Sequence, residues 1–334
     1  MRASARVGQA LLSLVLPVLA GSLCSGPAGA GPLAFVTDQG ADALSVIDLD
    51  KGQVVQTVKV GWKPAGVAVA PGAARIYVTN PEGHSVSVVE RQSDGAYKET
   101  AEIPVGEGPL GVTLDNAGAR LFVADWYTNK VYVIDPQKLA VTGSIPVGKS
   151  PSGMAASPDD HWLYVANRES DTISVVDLAN LRSVAEIPVG QSPFGVTYDP
   201  NGPDGPRLLV ANVKSFDVSV VDPTTRRETR RLKVRKYPYV VAVTRDGARI
   251  FVTNQHDDSI SAFDGKTYAS LGVIDACGYP EGLLISPDQA SALAVCWMDN
   301  NLTAIDVKTL RVTRQIPVGS NPRGFGQFIA PDAK

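Results

Sequence analysis

The chain has 334 residues, with 31 lysines and arginines against 34 aspartates and glutamates and a formal net charge of −3. So mild an acidity gives no bulk electrostatic case for nucleic acid or an anionic membrane as partner. Past the N-terminal segment no stretch is long and apolar enough to cross a bilayer as a helix, so no transmembrane segment is expected.

Residues 1–30 read as a secretory signal peptide. Arg2 and Arg6 give a positive start, Leu11 to Leu19 is largely apolar, and Ala28-Gly29-Ala30 offers small residues before Gly31. The two arginines are not adjacent, which argues against a twin-arginine route, and the bulky Leu23 before Cys24 argues against a lipid anchor. Residues 31–334 are then expected in the periplasm or secreted. In such an oxidising compartment the two remaining cysteines, Cys277 and Cys296, invite a disulfide.

From Pro64 onward the chain repeats. The triad Pro-x-Gly recurs at Pro64, Pro109, Pro151, Pro193, Pro238, Pro280 and Pro322, at intervals of 45, 42, 42, 45, 42 and 42 residues, with only Val240 in place of the glycine. A unit of this period cannot bury its own apolar face and must stack on its neighbours. Within one unit, 152–157, 162–167, 172–177 and 184–189 each read as a strand, rich in branched and aromatic residues and separated by turn residues. The fold expected is therefore all-β: a seven-bladed β-propeller of four-stranded antiparallel blades, one domain over 31–334. Ala34 to Thr37 is a second strand without a first, and Arg323 to Ile329 a first strand without a second. The C-terminal strand should complete the N-terminal blade and close the ring.

Ile76-Tyr77-Val78-Thr79-Asn80, Ile250-Phe251-Val252-Thr253-Asn254 and the recurrent Ile-Pro-Val-Gly at 103–106, 145–148, 187–190 and 316–319 resemble the signature of the YVTN-repeat β-propeller family. The resemblance covers nearly all of 31–334. It implies the propeller fold and an exported or periplasmic protein of a family largely without assigned role. Related seven-bladed rings serve as heavy chains of quinoprotein amine dehydrogenases, as lactonases and as binding proteins.

The two longer units carry their extra residues around 93–96 and 201–205, both on one face of the ring. Loops on the opposite, top face keep one length. Nine of the chain's 22 aromatic residues are expected in these top loops: Trp62, Trp126, Tyr127, Phe194, Phe216, Tyr237, Tyr239, Tyr279 and Trp297. Rings crowded into normally polar loops point to a recognition rim, although each could instead pack on its neighbour. Lys63, Arg168, Lys214, Glu281 and Arg323 add charges of both signs, which disfavours a purely anionic ligand. Tyr239, Glu281 and Arg323 follow the blade-opening proline in consecutive units and should stand side by side at the channel mouth. The binding residues expected are thus Trp62, Lys63, Trp126, Tyr127, Arg168, Phe194, Tyr237, Tyr239, Tyr279, Glu281, Trp297 and Arg323.

Other repeated polar residues read as structural. The Asn or Asp ending strand two (Asp38, Asn80, Asp125, Asn167, Asn212, Asn254) should bind the neighbouring blade-opening loop, and the aspartates ending strand three should hold turns. Aligned on blade 4, Cys277 replaces Gly148 and Cys296 replaces Asn167, so a disulfide would join the two places that elsewhere meet by hydrogen bond. The basic run Arg226 to Lys236 lies on an outermost strand, where charge keeps an edge from pairing with another molecule. It could alternatively dock an acidic partner.

No haem-attachment, nucleophile-elbow, zinc-protease or phosphate-loop motif occurs, and the three histidines form no apparent metal set. The sequence names no cofactor, metal or catalytic residue. It favours a non-catalytic exported propeller that binds a ligand or protein on its top face. The alternative is an enzyme-associated propeller: a dehydrogenase heavy-chain-like subunit, or a lactonase-like hydrolase needing channel carboxylates and a divalent cation. A third reading, single-stranded nucleic-acid binding, draws on the loop aromatics and the basic strand but meets the net acidity and the exported destination.

Overall fold

The computed structural model of the protein describes Met1 and residues 31–330. Apart from Met1, the expected signal peptide and Cys24 lie outside the described residues. Seven sheets form the ring, one per blade. In blade 4 the strands are Pro151–Ala156, Trp162–Asn167, Thr172–Asp177 and Arg182–Pro188, each antiparallel to the next. The two middle strands are almost wholly buried, because neighbouring blades cover both of their faces, and so read as continuous apolar runs. The outermost strand alternates exposed and half-buried residues and ends on a proline, as an edge should.

The Pro-x-Gly repeat has a steric cause. At Gly111, Gly153, Gly195 and Gly282 a Cβ atom would stand 1.9, 2.4, 2.6 and 2.4 Å from the carbonyl oxygens of Ser152, Phe194, Tyr239 and Gly324 on the next blade. Only a residue without a side chain lets the inner strands approach this closely. Hydroxyls from strand two add cross-blade bonds: Thr79 Oγ1 donates to the Leu110 carbonyl at 2.8 Å and Thr253 Oγ1 to that of Glu281 at 3.3 Å.

The C-terminal strand does close the ring, and it engages two blades. Pro322–Arg323 pairs antiparallel with Thr37 and Asp38 of blade 1, and the Phe35 amide donates to the Phe328 carbonyl at 2.7 Å. Between these contacts, Phe325–Gln327 runs parallel to Gly66–Ala68, the inner strand of blade 2. Gly326 makes the detour with φ +89°, and the carbonyl oxygens of Val67 and Val112 lie 2.6 and 2.8 Å from where its Cβ would be.

Candidate functional site

The top face is assembled from joints between the end of strand two and the loop that opens the same blade. The glycine of each Ile-Pro-Val-Gly lies against the strand-two Asn or Asp: a Cβ at Gly148 would meet the Asn167 side chain at 2.6 Å, and one at Gly190 that of Asn212 at 2.6 Å. The bonding differs in part from expectation. Asn80, Asn167 and Asn212 donate through Nδ2 to side chains at the start of strand three, such as Ser87 at 2.9 Å and Ser174 at 2.9 Å. The loop itself is bound by Asp125, which accepts from the Glu107 and Gly108 amides at 2.7 and 2.9 Å, and by Asn254, which accepts from the Arg235 amide at 3.2 Å. In blade 7 the joint is covalent: Cys277 and Cys296 form a disulfide with their Cα atoms 5.9 Å apart.

At the centre of this face stand the residues that follow the blade-opening prolines. Glu281 is buried; its Oε1 accepts from Gln255 Nε2 at 2.6 Å, and its Oε2 lies 3.6 Å from Arg323 Nε. Neither Oε2 nor that Nε has a hydrogen-bond partner, and the same holds for the indole Nε1 of Trp297. Burial pushes the Glu281 carboxyl above its ordinary range, against the opposing pull of Arg323 and Gln255. The Tyr239 phenol is pushed up to about 12, first by burial and next by the charge of Glu281. The structure thus brings Tyr239, Glu281 and Arg323 together.

Phe194 and Tyr239 lie at the starts of inner strands, not in loops, and their rings pack 4.0 Å apart between centroids. Phe325 joins them at 5.1 Å from Phe194, and the three close the channel at its top end. Arg168 lies over this plug, its guanidinium 5.6 Å from the Trp126 ring and 5.9 Å from Phe194.

A second group runs across blades 5 to 7. Phe216 meets Tyr237 at 5.6 Å, Tyr237 stacks on His256 at 4.1 Å, and Tyr279 lies 4.7 Å from His256 and 5.9 Å from Trp297. The Tyr279 hydroxyl is 2.7 Å from His256 Nε2. Tyr237 and Tyr279 both hold φ at +56°, a left-handed conformation taken by Ser150 and Ser192 at the same place in other blades. Bulky rings there carry a backbone cost, which their contacts with His256 offset. His256 and Gln255 are the site residues that the sequence reading missed. Gln255 sits directly after the strand-two terminus, the place of Trp126, Arg168 and Trp297, and that alignment could have found it.

The remaining candidates stand apart. Trp62 and Tyr127 are 56 and 67 % exposed, and Lys63 is tied to blade 1 through its amide on Asp42 at 3.0 Å. In the basic strand of blade 5, Arg226 covers Trp162 at 5.1 Å, Arg230 covers Tyr268 at 4.8 Å and Arg231 pairs with Glu228 at 2.8 Å, so much of its charge braces the ring.

Below the plug, the inner strands enclose a cavity of about 830 Å³ that reaches the bottom turns at Pro71, Gly72, Asp115 and Asn116. Its wall is mostly Val, Ala, Leu, Ile and glycine, with Asp115 its one carboxylate. Among the described residues no group of three His, Cys, Asp or Glu side chains is placed to hold a metal ion. The donor set that a cation-dependent lactonase would need is therefore not assembled there.

A family model for lactonase, a seven-bladed β-propeller, matches residues 135–236. No curated protein matches the chain. Among solved structures, hydrazine synthase from Kuenenia stuttgartiensis superposes with a TM-score of 0.71 at 22 % identity, over 81 % of this chain and 91 % of that one. A functionally unknown protein from Desulfotomaculum acetoxidans gives 0.74 at 16 %, over 90 % and 99 %. The periplasmic gluconolactonase of Pseudomonas aeruginosa gives 0.73 at 16 %, over 88 % and 98 %. At such identities the likeness is one of fold, and the YVTN-repeat resemblance rests on the sequence signature alone. The chain is a seven-bladed β-propeller, similar in architecture to lactonase-type propellers.

Proposed function

We propose that the protein is an exported, enzyme-associated propeller of lactonase-like type, with its reacting centre at the top mouth around Glu281. The observation that carries this reading is a buried carboxylate whose second oxygen has no hydrogen bond, facing an arginine and set among rings at the centre of the ring's mouth. The family match and the gluconolactonase-like fold favour this reading over a plain scaffold. The disulfide is in keeping with export.

In ring opening of a lactone, a water molecule would lose a proton to Glu281 as it attacks the ester carbonyl. Its oxygen bonds to the carbonyl carbon, the ring C–O bond breaks, and the proton returns to the leaving oxygen. A carboxyl whose proton affinity burial raises is, once ionised, a stronger base than an exposed one. Arg323, with Arg168 beyond the plug, would stabilise the charge on the carbonyl oxygen. No step is drawn through a metal ion.

The test is acid release from a panel of five- and six-membered sugar lactones. Glu281→Gln should lower turnover by about 10²-fold or more at an unchanged melting temperature. Absence of turnover with every lactone by the wild-type protein would end this reading.

A second reading, non-catalytic recognition, is favoured by the aromatic run from Phe216 through His256 to Trp297. In it Trp62, Lys63, Trp126, Tyr127, Arg168, Phe194, Tyr237, Tyr239, Tyr279, Glu281, Trp297 and Arg323 form a binding rim. Mass spectrometry of what co-purifies with the native protein, compared with Trp297→Ala, separates the two readings.

A further inference from the structure

The cavity beneath the plug has no part in the chemistry at the mouth. Phe194, Phe325 and Tyr239 close it above, and it opens below between the turns that join inner strands to second strands. Its volume of about 830 Å³ lies within the range of ligand sites. We propose that this bore binds one neutral, elongated, lipid-like molecule, its apolar chain inside and an uncharged hydroxyl or ester at the bottom mouth.

The wall dictates the apolar chain. Leu114, Met154, Ala156, Val243, Leu284 and Ile285 line the bore and are half-buried, so apolar side chains keep surface turned toward it. Apolar side chains so placed take up apolar matter favourably.

The charges dictate neutrality. Asp115 is the one charged lining residue, and it is already bound: Oδ1 accepts from the Ala119 and Arg120 amides at 2.7 and 3.1 Å, and Oδ2 from Arg120 Nε at 2.9 Å. No lining cation is present to meet a carboxylate or phosphate, so an ionised head would lose its hydration uncompensated. An uncharged polar end fares better. The inner strands of blades 3 to 7 are paired on one side only, and the exposed Gln327 amide lies at the bore. These groups can exchange single hydrogen bonds with a hydroxyl or ester, as ligand pockets commonly do.

The experiment uses the full chain and N-phenylnaphthylamine, a neutral apolar fluorophore, as probe. One saturable site per chain is expected. Dodecanol should displace the probe at concentrations at least about tenfold below those needed for dodecanoate. Ala156→Trp and Thr113→Tyr, both narrowing the bore, should each weaken probe binding roughly tenfold or more. Two variants are used so that a folding defect in one leaves the other to decide. The proposal falls if no saturable binding occurs or if dodecanoate competes as well as dodecanol. It falls equally if a folded narrowed variant binds the probe like the wild type, which would place the probe elsewhere, the top-face rings included. Lactone turnover does not enter this measurement, so the two proposals fail separately.

Discussion

At its top mouth the channel carries Glu281, Arg323, Gln255 and Arg168 among packed rings; a few residues further along the same inner strands, its wall is mostly Val, Ala, Leu, Ile and glycine. The difference follows from the pleat and the ring. The residue after each blade-opening proline (Ala65, Leu110, Ser152, Phe194, Tyr239, Glu281, Arg323) stands where seven inner strands converge on the axis, and its chemistry is free to vary from blade to blade. Residues past the motif glycine are packed between adjacent blades and are mostly apolar, and the exceptions find partners, as Thr197 does on the Val241 carbonyl. Individuality in this protein is therefore concentrated at the mouth, and uniformity in the bore.

The change expected to act most strongly removes what the two regions share. Phe325 belongs to the plug, while Gly326 and Gln327 line the bore. Deleting residues 322–334 takes away the closing strand and opens an edge on both blade 1 and blade 2. The truncated protein should aggregate and show no cooperative melt. A monomer melting within a couple of degrees of the full chain would contradict this.

Next in size is the covalent joint at the mouth. The disulfide closes a loop of sequence separation 19 between the turns that carry Tyr279 and Trp297. Replacing both cysteines by serine should cost about 3 kcal/mol, read by chemical denaturation. Because the bond ties only the top face, bore binding of the neutral probe should survive in the fraction that stays folded. Equal loss at both places would show the mouth and the bore to be one cooperative unit.

The smallest effect is expected at Asp38, the acidic counterpart in blade 1 of Asn80 and Asn167. Burial raises its carboxyl from 3.8 to about 6, against the opposing hydrogen bonds of Ser45 and Gly319. The folded state thus holds this proton more tightly than the unfolded chain. Its contribution is fully present below about pH 3.8 and is lost as pH rises through about 6. Asp38→Asn should therefore gain ~1–2 kcal/mol over the wild type at pH 7–8 and almost nothing at pH 4, seen as a pH-dependent difference in melting temperature. A difference independent of pH would place the cause in packing instead.

Much of this molecule was legible in its sequence because a propeller repeats its constraints. The spacing of 42 or 45 residues, the Pro-x-Gly triad kept in six of seven units and the unmatched strands at the two ends led to seven four-stranded blades and a closed ring. The joint departure of Cys277 from glycine and Cys296 from asparagine led to the disulfide, since two residues that meet in every other blade must meet in blade 7. Alignment of blades also put Tyr239, Glu281 and Arg323 side by side.

Tertiary structure alone decided what those neighbours do to one another. That Glu281 is buried, that Gln255 takes one of its oxygens, and that His256 lies between two tyrosines depend on side-chain directions across two adjoining blades, which no local pattern encodes. The same holds for the C-terminal strand, whose turn at Gly326 to pair with blade 2 is set by two carbonyl groups far away in sequence. The plug and the bore are likewise products of closure: the strand pattern shows which residues are apolar, but only the finished ring determines which of them meet, and which are left facing a cavity.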